Sequence, residues 1–312
     1  MTETTTHKKI NLSASKQALK PTRKQERSGQ ITLRMKIKKR TVLDSLLYGL
    51  IILVMGGVIV VLAYILIYIL RSAAGFLNIS FIFRPAEEGG IFPMIITTVY
   101  VVILSIVIAL PVGIASAIFL NEYSGNSLLI RLLRLAIETL AGIPSIIYGL
   151  FGLLVFCRIL GFGQSIISGA FTLSIMILPV IIRTTEESLK SVPDSFREGS
   201  LSLGATKFQT IIHTVLPSAL PGIVTSVILA IGRVVGESAP VLLTVGLSKN
   251  IPRSIFESGR TLTIHLYYLT NEAINRDDFG IAFATAAVLV ILVVIINTLT
   301  KIITGRRTQR TT

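Results

Sequence analysis

The sequence predicts an all-α polytopic membrane protein with six transmembrane helices, and three observations carry that expectation. Of 312 residues, 52% are hydrophobic and only 15% charged, with a mean hydropathy of +0.76; a soluble domain carries about 25% charged residues. The apolar residues come in runs. Residues 46–70 and 91–121 contain no charge, and each run exceeds the about 20 residues that a membrane-crossing helix needs. Basic residues are also unevenly placed. With the N-terminus inside, 22 lie in cytoplasmic segments and seven outside, while Arg233 falls within a span. Lysine and arginine accumulate on the cytoplasmic side, so both termini are expected there.

The elements follow in order. Residues 1–42 are polar, and twelve of the 30 basic residues precede Thr41, opposed only by Glu3 and Glu26. This tail therefore supplies +10 of the net +14. Its composition cannot bury a core, so it is read as a disordered cytoplasmic tail. Nucleic-acid binding is the sharper reading of such a charge run, but the tail lacks an aromatic residue for base stacking and runs directly into a span. Anionic lipid headgroups are its natural contact. The first apolar run is not expected to be a cleaved signal peptide, because it starts after some 40 polar residues and exceeds an h-region of about 7–15 residues. Spans are expected at 43–70, 91–120, 139–158, 165–182, 217–247 and 280–303, with residues 304–312 a second cytoplasmic tail. A glycine-rich turn, Gly161-Phe162-Gly163, separates the third from the fourth. Pro93, Pro111, Gly142-Ile143-Pro144, Pro179, Pro217 and Pro221 interrupt several spans. Breakers at membrane depth survive where neighbouring helices or a cavity satisfy the freed backbone groups. Cys157 is the sole cysteine, so neither an intrachain disulfide nor a cysteine metal cluster is available. His7, His213 and His265 are scattered and suggest no metal site.

Between spans four and five the sequence runs from Ser191 through Pro193, Glu198-Gly199-Ser200, Gly204 and Thr206-x-x-Gln209 to Leu216-Pro217. Pro193 suits the start of a helix, Gly204 a left-handed stop, and Thr206 with Gln209 a capping box that restarts the chain in a new direction. Helix, glycine, helix therefore predicts a compact knob of two short helices on the cytoplasmic face.

This segment resembles the EAA loop of ABC importer permeases: Glu-Ala-Ala, three residues, Gly, nine residues, then Ile-x-Leu-Pro. Glu198, Gly204, Leu216 and Pro217 fall at the matching spacings, while Gly199 and Ser200 replace the alanines and Thr214 the isoleucine. The resemblance implies that the loop docks onto a separate ATPase subunit. No G-x-x-x-x-G-K-[ST] occurs in the chain, so ATP is expected to be bound and hydrolysed by that partner, with no cofactor held here.

Two further segments narrow the resemblance. Leu140-Ala-Gly-Ile-Pro144-Ser-Ile-Ile-Tyr148-Gly149-Leu-Phe-Gly152 and Ile231-Gly-Arg233-Val-Val-Gly236-Glu237-Ser-Ala-Pro240 are similar to the third- and fifth-span signatures of bacterial phosphate permeases, the second closer to the PstA than to the PstC type. Membership implies a MetI-like type I importer permease fold over residues 43–303 and import of inorganic phosphate. It also implies three partners: a PstC-like second permease, a PstB-like ATPase and an extracytoplasmic PstS-like phosphate-binding protein.

Arg233 and Glu237 lie four residues apart near the middle of the expected fifth span, where an unpaired charge is costly, and share one helix face. Two readings stand: an ion pair that only orders the bundle, or a substrate-pathway site whose guanidinium matches phosphate oxygens in bidentate geometry. Arg183, expected at the cytoplasmic end of span four, is a weaker pathway candidate or an ordinary interfacial arginine. A secondary transporter or channel needs no ATPase-docking loop. A membrane protease wants catalytic side chains within spans, and no Asp lies in a span interior. Another ABC substrate such as molybdate, sulfate or a phosphonate is the nearest competitor.

Overall fold

The computed structural model describes the backbone of residues 23–123 and 128–308, with side chains described for residues 44–123, 128–275 and 277–302. The chain separates into two compact units, Met1–Leu66 and Ile67–Thr312. The described part of the first is helix α1 (Arg23–Ala73) as far as Leu66. Helix is therefore present from the first described residue, Arg23, some twenty residues before the expected span. Lys, Arg, Gln and Leu are good helix formers, and extending a helix already nucleated by the apolar run is cheap. Residues 1–22 of the basic tail lie outside the described residues.

The second unit contains α2 (Ile79–Phe83), α3 (Phe92–Ile118), α4 (Leu128–Gly142), α5 (Ser145–Gly152), α6 (Ile166–Lys190), α7 (Asp194–Ser202), α8 (Lys207–Thr210), α9 (Leu216–Gly236), α10 (Ala239–Thr244), α11 (Leu262–Glu272) and α12 (Arg276–Thr308). No strand occurs among the described residues. Among the described residues five helical stretches are long and apolar enough to cross a membrane, and the bent pair Leu128–Gly142 with Ser145–Ile159, taken as one span, makes a sixth. The all-α, six-span expectation therefore holds.

Helix α6 is the centre of the bundle, packed chiefly on α3 and α9. Its buried Leu173, Ile177 and Ile181 join Val101 and Ala109 of α3 and Ala230, Val234 and Val235 of α9 in the main core. Small residues let the helices approach, as is usual where lipid gives no hydrophobic drive to association. Ile181 fills the space beside Gly113, and the Ser174 hydroxyl donates across the contact to the Ser105 carbonyl at 3.0 Å.

Two spans differ from their expected form. The third is not a straight rod over 139–158: the chain bends by 100° between α4 and α5. Pro144 (φ −57°, ψ 138°) leaves the helical region there and also restricts Ile143 before it. The fifth is not one helix over 217–247. It starts at Lys207 and breaks after Gly236, with Glu237 extended (φ −76°, ψ 133°). Pro240 has no N–H for the Gly236 carbonyl, and its ring would clash with that carbonyl in a continuous helix.

Candidate functional site

The knob folds as its sequence directs. Helix α7 ends in a pair of reverse bonds: Gly204 N–H donates to the Leu201 carbonyl (3.0 Å) and Ala205 N–H to the Ser200 carbonyl (3.3 Å). Gly204 holds φ +86°, the left-handed C′ position of this cap. Thr206 then accepts from Gln209 N–H, and the Gln209 side chain accepts from Thr206 N–H at 2.8 Å. Ser200 and Thr210 hydroxyls meet at 2.9 Å and tie the two arms. The second arm is not a separate short helix, however. Through a π-helical turn, Ile211–Val215, α8 runs directly into α9, and the Leu216 N–H reaches back five residues to Ile211. That wide turn comes just before Pro217, whose ring and missing N–H disturb the regular ladder. Glu198 and Gly199 are exposed, as are Phe196, Leu201, Leu203 (90%) and Phe208. Four large apolar side chains thus stand exposed on a polar knob.

At the other end of α9 the two span signatures meet. Gly149 of α5 faces α10 so closely that an added Cβ would lie 2.8 Å from Pro240 Cα, and Tyr148 donates its hydroxyl across the bend to the Leu140 carbonyl at 2.6 Å. Arg233 occupies the last turn of α9. The pair with Glu237 therefore sits where α9 ends and not inside a continuous helix. Its Nε–Oε1 separation is 3.9 Å, with the side chains 31% and 17% exposed. That distance is too long for a hydrogen bond. Glu237 is therefore a loose counterion of Arg233.

The third pathway candidate is placed elsewhere. Arg183 lies almost two turns before the end of α6 and forms an exposed ion pair with Glu138 of α4 at 3.0 Å. It belongs to a charged cleft of about 140 Å³ with Arg134, Glu186, Glu187 and Lys190, where Glu186 pairs with Arg134 (2.9 Å) and Lys190 (2.8 Å).

Several residues with strong contacts escaped the sequence reading. Arg197 and Glu122 form the least exposed ion pair among the described residues. Its only trace in the sequence is that Glu122 is the first charge after a long apolar run. Arg260 rests on the Tyr268 ring, 4.7 Å from its centroid, and donates from Nε to the Leu247 carbonyl. Burial first, then the charges of Arg260 and Lys249, push His265 down to about 4, so it is neutral at physiological pH. No group of three or more metal-ligating side chains occurs among the described residues.

A bundle of apolar spans, broken where two glycine- and proline-rich signatures meet beside a charge and carrying an apolar-tipped knob, defines a membrane transport permease. Residues 109–310 match the family described as binding-protein-dependent transport system inner membrane component, and the chain belongs to that family of multi-pass inner-membrane ABC permeases. It is 34% identical to the probable ABC transporter permease protein YqgI of Bacillus subtilis, over 83% of this chain and 94% of that one. To the phosphate transport system permease protein PstA 1 of Mycobacterium tuberculosis (strain ATCC 25618 / H37Rv) it is 38% identical, over 71% of this chain and 72% of the relative. Among solved structures, a chain of a bacterial alginate ABC transporter superposes with a TM-score of 0.64 at 16% identity, covering 88% of this chain and 97% of that chain. A chain of the MetNI methionine ABC transporter gives 0.52 at 23%, covering 72% and 94%. These two likenesses establish the MetI-like permease fold.

Proposed function

We propose that the chain is the PstA-type permease subunit of an ATP-driven importer that carries inorganic phosphate across the cytoplasmic membrane. The observation that carries this reading is Arg233, a guanidinium held where the two signature segments meet and only loosely countered by Glu237 at 3.9 Å. Guanidinium pairs with phosphate oxygens in planar, bidentate fashion, and a nearby carboxylate keeps the anion from being held too tightly. The likeness to PstA 1, named for phosphate transport, supports the choice of anion. Arg183, already paired with Glu138, is the weaker pathway contact.

ATP is hydrolysed by a separate PstB-like ATPase that docks on the knob around Glu198, Gly199, Ser200 and Gly204. Exposed Phe196, Leu201, Leu203 and Phe208 support this, since they are anchors of the apolar kind that central interface contacts use. Leu216 and Pro217 lie at the junction between knob and span. A PstC-like second permease completes the pathway, and a PstS-like binding protein delivers phosphate from outside. The permease domain covers residues 43–303. Residues 1–42 and 304–312 are cytoplasmic, the former against anionic lipid. The chain holds no cofactor of its own.

The test is ATP-dependent phosphate uptake into proteoliposomes containing the whole complex, with arsenate and sulfate as competitors. Uptake that arsenate alone inhibits supports the reading; transport of sulfate or molybdate in place of phosphate rejects it. Engineered cysteines at Ser28 and Thr308, in a Cys157→Ser background, report topology. Reaction of either with an impermeant reagent outside sealed cells rejects cytoplasmic termini.

A further inference from the structure

One guanidinium ties the first arm of the knob to the bundle. Arg197 of α7 is 18% exposed and its partner Glu122 is 8% exposed. All five of its N–H groups are used, and they reach three different elements. Nη2 donates to Glu122 Oε1 (2.8 Å) and to the Leu189 carbonyl (2.9 Å). Nε lies 3.2 and 3.4 Å from the two Glu122 oxygens. Nη1 donates to the Val192 carbonyl (2.8 Å) and to Asp194 Oδ1 (3.1 Å). Glu122 belongs to the π-helical turn Phe119–Tyr123 that ends the α3 span, Leu189 to the last turn of α6, and Asp194 to the knob itself. Lys207, at the start of the knob's second arm, stands 4.9 Å from the ring centroid of Tyr123, the next residue after Glu122. Both arms are thus attached to one point at the end of α3. Beneath it, Leu120, Leu189, Val192 and Val215 form a buried apolar floor. The hydrogen bonds that it donates to Glu122 hold the Arg197 guanidinium above its ordinary range, against the opposing effect of burial.

We infer that Arg197 and Glu122 are the joint through which movement of the docked knob reaches the α3 and α6 spans, acting as positioning residues for coupling and not as part of the docking surface. The inference rests on the reading that an ATPase docks on the knob. An ion pair this buried is poorly explained by stability alone, because desolvation offsets much of its attraction. What a bidentate fork supplies is a fixed angle. An apolar contact in its place would let α7 slide, since dispersion is non-directional. The apolar tips proposed for docking, Phe196, Leu201, Leu203 and Phe208, are exposed, whereas the pair is recessed, so attachment and docking are separable by substitution.

The test compares wild type with Arg197→Gln, Arg197→Lys and Glu122→Gln, each in the assembled complex with its ATPase. Three quantities are read: ATPase copurified, ATP hydrolysed and phosphate taken up. The Gln variants should keep the ATPase bound and hydrolysing while uptake falls about tenfold or more, so that ATP consumed per phosphate rises; Arg197→Lys should fall between. As a rescue, Glu122→Cys with Arg197→Cys in a Cys157→Ser background is bridged by a short thiol cross-linker. Bridging should restore coupling, and reduction of a cleavable linker should abolish it again. The inference is overturned if the Gln variants couple normally, if hydrolysis, uptake and yield fall in proportion, or if the bridged pair stays uncoupled. A wild-type chain that never copurifies with an ATPase refutes the docking reading itself, a result distinct from the other three.

Discussion

Replacing Gly204 tests whether the turn in the knob matters for what the knob does. Gly204 holds φ +86°, and a Cβ added there meets nothing within 4 Å. Steric crowding is therefore absent, and the cost is the backbone's own. A non-glycine residue in the left-handed region costs about 1–2 kcal/mol. Escape to negative φ forfeits the two reverse bonds from Gly204 and Ala205, at about 1 kcal/mol each. The chain takes the cheaper route, so Gly204→Ala should cost about 1 kcal/mol and Gly204→Val about 2, with Gly204→Asn least because Asn tolerates this region. Docking needs the turn itself, so ATPase affinity falls by at most that amount, about 5–30-fold, the limit being a free knob that opens at no cost. Titrating purified ATPase onto the permease in detergent, with thermal unfolding as a control for the bundle, reads this directly. The reasoning fails if Gly204→Val docks like wild type, or if Asn proves no better than Ala.

The remaining predictions concern the bundle and its outer end. Arg233→Gln should abolish uptake with the complex intact, Arg233→Lys should recover only part of it, and Glu237→Gln should slow turnover; wild-type uptake by the double Gln variant would make the pair a packing element. Gly152→Ala forces a Cβ onto the buried Thr172 side chain and should cost about 1–3 kcal/mol, visible as a lowered Tm in detergent and partly relieved by Thr172→Ala. His265 takes up its proton more readily unfolded, near 6.5, than folded, at about 4. Its contribution is therefore intact above about pH 6.5 and is lost as pH falls toward 4, by about 2 kcal/mol at pH 5. Denaturation between pH 7 and 5 should show this slope, and His265→Gln should flatten it.

Much of this molecule was legible in one dimension because its signals are local. Apolar runs longer than a bilayer is thick, a glycine at a helix stop, and Thr206 three residues before Gln209 each act through neighbours in the chain. The knob's cap and four of the spans accordingly stand close to where they were expected, while the third bends and the fifth breaks. The proline signals were also visible, yet their consequences depended on what lies around them. Pro111 and Pro179 stay inside continuous helices, whereas Pro144 and Pro240 break theirs, because at those two points α5 and α10 pack against each other in place of continuing. That break placed Arg233 at a helix terminus and not inside a continuous helix. Partnerships were beyond reach altogether. Glu122 and Arg197 are 75 residues apart, and Arg183 and Glu138 are 45 apart. No spacing rule connects such residues. Hydropathy and capping are properties of a segment, settled by solvent and by hydrogen bonds within a few residues. Which charge meets which is settled only when the helices close on one another, since only then does the desolvation of one group depend on the position of another.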